Sequence, residues 1–186
     1  SEIFETPRPN CGLAALGTIA DMVPLTGPNR SIARQGLTAL QKGACRGIVH
    51  LASHLGLSHV SLSSPDVGFF IGPAINAAGR LDDARKCVEL LTSVDEDRMR
   101  QLAAELVRGN NERKDIQRAQ LQNNLTRLAN RKSIPTGLVS SHDSHHQGVV
   151  GLTAQGLAQR HSRPAFVFAP SENSTLKGSA RAGEER

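Results

Sequence analysis

The chain has 186 residues, a size for one domain or two small ones. A hydrophobic fraction of 38% and a charged fraction of 21% exclude a wholly disordered chain, and no apolar run nears the ~20 residues of a membrane span. The formal charge of +5 is uneven: residues 1–97 hold 8 basic and 10 acidic side chains, residues 98–186 hold 14 and 7. A basic second half points to an anionic partner such as nucleic acid, or else to a solvated basic face.

The start, SEIFETPRPN, has no basic-then-apolar leader pattern and no initiator Met. The expectation is a piece of a longer chain. Next comes LAALGTIADMVPL (13–25), an apolar, strand-like stretch that ends at Asp21 and closes at Pro24. Residues 28–42 read as a helix, with Ile32, Gly36, Leu37 and Leu40 on one face and Gly43 as its stop. A second short helix over 46–57 ends near Gly56. Ser63-Ser64-Pro65-Asp66 is a helix start, with a serine cap and Pro65 in the first turn.

Residues 69–80, FFIGPAINAAGR, are small and nearly uncharged, which allows close backbone approach. A short helix over 82–92 follows. Ser93, with Glu96 three residues on, predicts a capping box for a long helix from about Val94 to Ala129. Met99, Leu102 and Leu106 form an apolar stripe at its start; Leu121, Leu125 and Leu128 form another at its end. The polar stretch 108–118 between them fits a strut between two lobes, or two helices broken at Gly109-Asn110. Thr136–Ser140 then reads as a strand, Gly148–Gln159 as a helix, Pro164–Ala169 as a strand, and Leu176–Ala180 as the start of a third. That β-α-β order predicts an α/β lobe whose sheet is incomplete at Arg186.

Chemistry-bearing residues fall in four places. Asp21 offers a hard oxygen ligand suited to Mg²⁺ or Mn²⁺, or it caps a turn. Asn76 and Arg80, beside Gly79, suit a phosphate, or else belong to a helix–helix contact with a surface ion pair. In HDSHHQGVVG (142–151) the ligand spacing fits no zinc pattern, and His146 leads into a helix N-terminus that favours an anion. His142 and His145 are expected to be exposed loop residues. In KGSAR (177–181), Ser179 and Arg181 share one strand face and again suit a phosphate. Cys11, Cys45 and Cys87 are too dispersed for a disulfide framework or a zinc site, and read as free thiols in a reducing cytoplasm.

Taken in order, ALGTIADMVPL, GPAINAAGRL, HQGVVG and LKGSAR resemble the RecJ-type single-strand-specific exonucleases of the DHH phosphoesterase superfamily, over essentially the whole chain. The resemblance implies 5′ to 3′ degradation of single-stranded DNA in repair and recombination, by a two-metal (Mn²⁺ or Mg²⁺) site whose ligands mostly lie outside this chain. It implies an α/β fold in three parts: residues 1–65 end the DHH catalytic domain, 66–132 form a helical connector, and 133–186 begin the DHH-associated domain. Asp21 matches the last metal-binding Asp of the catalytic domain. Asn76 and Arg80 match the motif lining the DNA path, His146 the His that opens the associated domain, and Ser179 and Arg181 its phosphate motif.

The resemblance also implies a cytoplasmic protein, without membrane contact, that works beside a repair helicase or single-strand-binding protein. His145 stands where the family has an aromatic residue, and Ala180 and Ala182 replace a Gly and a Ser. Ala180 is therefore expected to crowd the phosphate corner. Asp-His-His, Asp-x-Asp and Gly-Gly-His motifs are not found in the sequence, so the expectation is an internal fragment without nuclease activity of its own. The competing readings are another DHH-type phosphoesterase, acting on short oligonucleotides or cyclic dinucleotides, and a non-catalytic nucleic-acid-binding remnant.

Overall fold

The computed structural model describes residues 10–81 and 83–183. The SEIFETPRP start lies outside the described residues. The chain is a mixed helix and sheet protein, and its contacts divide it into two compact units, Ser1–Asn110 and Asn111–Arg186.

Among the described residues, the first unit is helical throughout. It contains α1 (Asn10–Ala20), α2 (Gly27–Gln41), α3 (Arg46–His54), the single turn α4 (Ser64–Asp66), α5 (Gly72–Leu81) and α6 (Arg85–Thr92). A π-helical stretch, Val67–Ile71, joins α4 to α5. The strand-like reading of residues 13–21 is corrected: this segment is α1. Ala15, Leu16 and Ile19 are buried while Gly17 is exposed, a helical rather than alternating pattern, and Ala and Leu are strong helix formers. Gly43 and Gly56 take positive φ values of 76° and 73°, as expected for helix stops. Ser63 and Asp66 form a reciprocal capping box with Pro65 in the first turn.

The long helix α7 (Glu96–Ala129) is unbroken over 34 residues. Its cap is Asp95 and not Ser93: Asp95 Oδ1 accepts the backbone N–H groups of Asp97 and Arg98 at 3.0 and 3.1 Å. Ser93 Oγ instead accepts Asp95 N–H. Glu96 is unavailable for a capping box because it turns to Arg46 and to His50, whose Nε2 lies 2.5 Å from Glu96 Oε2. Met99, Leu102 and Leu106 enter the core of the first unit with Leu40, Ile48, Leu51 and Leu90. Each such side chain contributes about 1.5–3 kcal/mol by leaving water.

The second unit holds residues 111–129 of α7, strands β1 (Leu138–Ser141), β2 (Ala165–Pro170) and β3 (Leu176–Arg181), and helix α8 (Val150–His161). The sheet order is β1-β2-β3, with β1 parallel and β3 antiparallel to β2. Ala165, Val167 and Ala169 alternate inward from β2, onto Ala154, Leu157 and Ala158 of α8. Leu121, Leu125 and Leu128 pack on the same core. This is why the second half of α7 belongs to the sheet's unit.

Candidate nucleic-acid interface

Asp21 follows the last residue of α1, its N–H bonded to Gly17 O at 3.0 Å. Its side chain is exposed, and no hydrogen bond or ion pair among the described residues uses its carboxylate. Two helices meet here at short range: a Cβ on Gly72 would sit 2.9 Å from Ala20 Cβ. The close approach expected of the Gly-rich segment is therefore made to α1, through Gly72. Asp21 and Asn76 line one open groove with Leu16, Ala20, Gly72 and Ile75. Arg80 is exposed one turn further along α5, on the side of the helix that carries Asn76.

Among the described residues there is no group of three or more His, Cys, Asp or Glu placed to hold a metal ion. Asp21 fits such an ion as one oxygen ligand of several. The negative end of α1 beside it adds to the attraction for a cation.

In the second unit the HQGVVG and KGSAR segments meet. Gly151 is the second residue of α8, and a Cβ there would lie 3.3 Å from Ser179 Oγ and 3.2 Å from Arg181 Nη2. Arg181 Nη1 donates to Ser179 Oγ and to Ala180 O, each at 2.7 Å. The guanidinium is thus held against the first turn of α8, where the positive end of the helix dipole favours an anion. His146 caps the 3-10 turn, Gln147–Val149, that leads into α8. It is exposed, and its Nδ1 accepts Gly148 N–H at 3.0 Å. In the neutral ring this bond leaves Nε2–H as the outward donor.

Two expectations are corrected here. His145 is buried at 6% exposure. Its Nδ1–H donates to Phe168 O at 2.8 Å, and its Nε2 accepts from Asn124 Nδ2 at 3.1 Å. Burial lowers its pKa from the ordinary histidine value, so the neutral ring is the favoured form. Ala180 does not crowd the corner. It pairs with Phe166 and, by strand alternation, occupies the face opposite to Ser179 and Arg181. Gly178 shares that opposite face, where a Cβ would meet Phe168 Cδ1 at 2.3 Å. His142 is exposed as expected, with Nδ1 held by Ser144.

The sequence reading passed over Gln120, Asn124 and Thr153, all buried. Gln120 Oε1 accepts His146 N–H at 2.8 Å, and Gln120 Nε2 donates to Thr153 Oγ1 at 3.1 Å. Asn124 Nδ2 also donates to Gln120 O at 2.7 Å. A signal was present: residues 120 and 124 fall at helical spacing within the stripe of Leu121, Leu125 and Leu128. Amides at such positions need partners.

No family model matches the chain. It is 42% identical over 175 residues to the single-stranded-DNA-specific exonuclease RecJ of Dickeya dadantii (strain 3937), over 91% of this chain and 30% of that protein. It is 41% identical over 174 residues to the same-named protein of Escherichia coli (strain K12), with the same two coverages. A crystal structure of exonuclease RecJ bound to manganese matches 94% of this chain and 42% of its own, with 32% identity and a TM-score of 0.81. The chain is thus RecJ-like in sequence and fold over nine-tenths of its length, and it spans about 30% of the length of these curated relatives.

Proposed function

We propose that this chain works as part of a single-strand-specific DNA exonuclease that hydrolyses phosphodiester bonds from the 5′ end. In this reading residues 1–65 end the DHH catalytic domain, 66–132 form the connector, and 133–186 begin the associated domain that grips the strand. The observation that carries it is the corner where Gly151 of α8 meets Ser179 and Arg181 of β3. A guanidinium, a hydroxyl and a helix N-terminus converge there on a surface suited to a phosphate. The likeness to exonucleases that act on single-stranded DNA supports the reading.

Asp21 would hold a divalent cation, Mn²⁺ or Mg²⁺, as one ligand among several; the manganese in the related crystal structure supports this. When bound, such ions supply water activation and charge stabilisation at the scissile phosphate. Asn76 and Arg80 orient the strand beside that groove. His146, Ser179 and Arg181 hold the 5′-phosphate of the strand and read no base. The scarcity of aromatic residues leaves little stacking to this segment. Single-stranded DNA is the partner. A repair helicase or single-strand-binding protein would deliver it, in a reducing cytoplasm that suits the free thiols Cys11, Cys45 and Cys87. Among the described residues no helix is long and apolar enough to cross a membrane.

The test is direct binding. The 186-residue chain is titrated with 5′-phosphorylated and 5′-hydroxyl oligothymidylate over a range of salt. Tighter binding of the phosphorylated strand, weakening steeply with salt, is expected. Equal binding of the two would remove the phosphate corner from the reading.

A further inference from the structure

Gln120 lies beside Leu121 in the apolar stripe of α7 and is only 5% exposed. Burying an amide is costly unless both of its ends are bonded. Here both ends are used. The carbonyl oxygen accepts His146 N–H at 2.8 Å, and the amide nitrogen donates to Thr153 Oγ1 at 3.1 Å. Thr153 Oγ1 in turn donates to Val149 O at 3.1 Å. Reversing the amide would set N–H against N–H at His146, so the orientation is determined. The next turn of α7 adds a second tie. Asn124 Nδ2 donates to His145 Nε2, and His145 Nδ1–H donates to Phe168 O on β2. The loop that carries His146 is therefore fastened from below at two consecutive residues, and each fastening reaches a further element, α8 or β2.

An apolar side chain of similar size at position 120 would fill the same space. What it would lack is the acceptor for His146 N–H. His146 itself is exposed, with Nδ1 occupied by Gly148 N–H, so its free Nε2–H points wherever the backbone at 146 directs it. Gly148 N–H, consumed by this bond, leaves the imidazole as the group that the loop offers to an anion. Two bonds hold the backbone at 146, the carbonyl accepting Val149 N–H at 3.1 Å and the N–H donating to Gln120, and only the second ties it to α7.

We propose that Gln120 is a positioning residue: through its bond to His146 N–H it sets the imidazole at the α8 corner, and thereby the preference for a 5′-phosphate. The inference rests on the phosphate reading of that corner. It extends the binding apparatus from the loop and strand motifs to a buried side chain of the long helix.

The experiment is a double-mutant cycle on the 186-residue chain. Gln120→Met, His146→Ala and the double variant are titrated with 5′-phosphorylated and 5′-hydroxyl oligothymidylate, at a temperature where circular dichroism shows each folded. Gln120→Met is expected to lower the ratio of the two affinities by about five- to tenfold, the range of one lost hydrogen bond, while binding of the 5′-hydroxyl strand is unchanged. In the His146→Ala background the same change is expected to have no further effect, because Gln120 acts through that imidazole. A Gln120→Met chain with an unchanged ratio overturns the proposal, and so do effects that multiply in the double variant. Amide hydrogen exchange of the unmodified chain supplies a measurement independent of any variant's folding. His146 N–H is expected to be protected, and exchange at the rate of an open loop overturns the tie. An unmodified chain that binds both strands equally, with His146 N–H protected, overturns the phosphate reading instead.

Discussion

The first unit presents Asp21 on an open groove, with no partner for its carboxylate among the described residues, and with Asn76 as the other polar side chain of the lining. The second unit presents His146 and Arg181 with every supporting bond supplied within residues 111–186. A metal site draws ligands from many parts of a chain, and one carboxylate cannot complete it. A phosphate corner needs a helix end and one or two donors, which a single β-α-β segment can assemble. Under the proposed function, the difference makes binding and cleavage separable in this segment. On that proposal the grip is built in locally, whereas Asp21 supplies one ligand of several that hydrolysis would need.

The largest expected effect breaks this comparison at Asp21. In the full-length protein, Asp21→Ala should abolish Mn²⁺-dependent release of nucleotides from the 5′ end of single strands, while binding through the second unit persists. Retained activity would show that the carboxylate is not a ligand. Next, Leu157→Ala removes a side chain 1% exposed at the centre of the second core and should cost about 2–5 kcal/mol in urea unfolding followed at that unit. A loss below about 1 kcal/mol, under that range, would mean that the site collapses around the change.

A smaller effect is expected at Arg181. Arg181→Ala should weaken strand binding and reduce the slope of log affinity against log salt by about one. An unchanged slope would place the guanidinium off the strand. The smallest effect concerns His145, whose pKa is lowered by burial. The unfolded chain then binds the proton more readily than the folded one. Stability should therefore be fully present above the ordinary histidine pKa and fall as pH drops below it through the lowered value. Replacing His145 by Phe should flatten that acid limb of the stability profile; an unchanged limb would locate the titrating group elsewhere.

Much of this was legible locally. Pro65 after two serines marks the start of α4, Gly43 and Gly56 mark helix ends, and the short apolar run PAFVFA marks β2. Each of those signals acts within a few residues through backbone geometry. Asp21 was misplaced on a strand because a short apolar run looks alike in both periods. Ser93 lost the cap to Asp95 because both offer an acceptor, and the side chain of Glu96 was drawn to Arg46 and His50 on another helix.

By itself the sequence determined most of the order of elements, the motifs and their likeness to single-strand exonucleases, since these rest on residue type and near-neighbour spacing. Only the tertiary structure decided which motifs face one another. Gly151 and Ser179 are distant in the chain yet meet because β3 pairs antiparallel to β2 beside α8. Gln120 reaches His146 because the apolar stripe of α7 docks on the same core. Such contacts follow from packing a shared hydrophobic face, and no local rule of spacing encodes which polar groups that packing brings together.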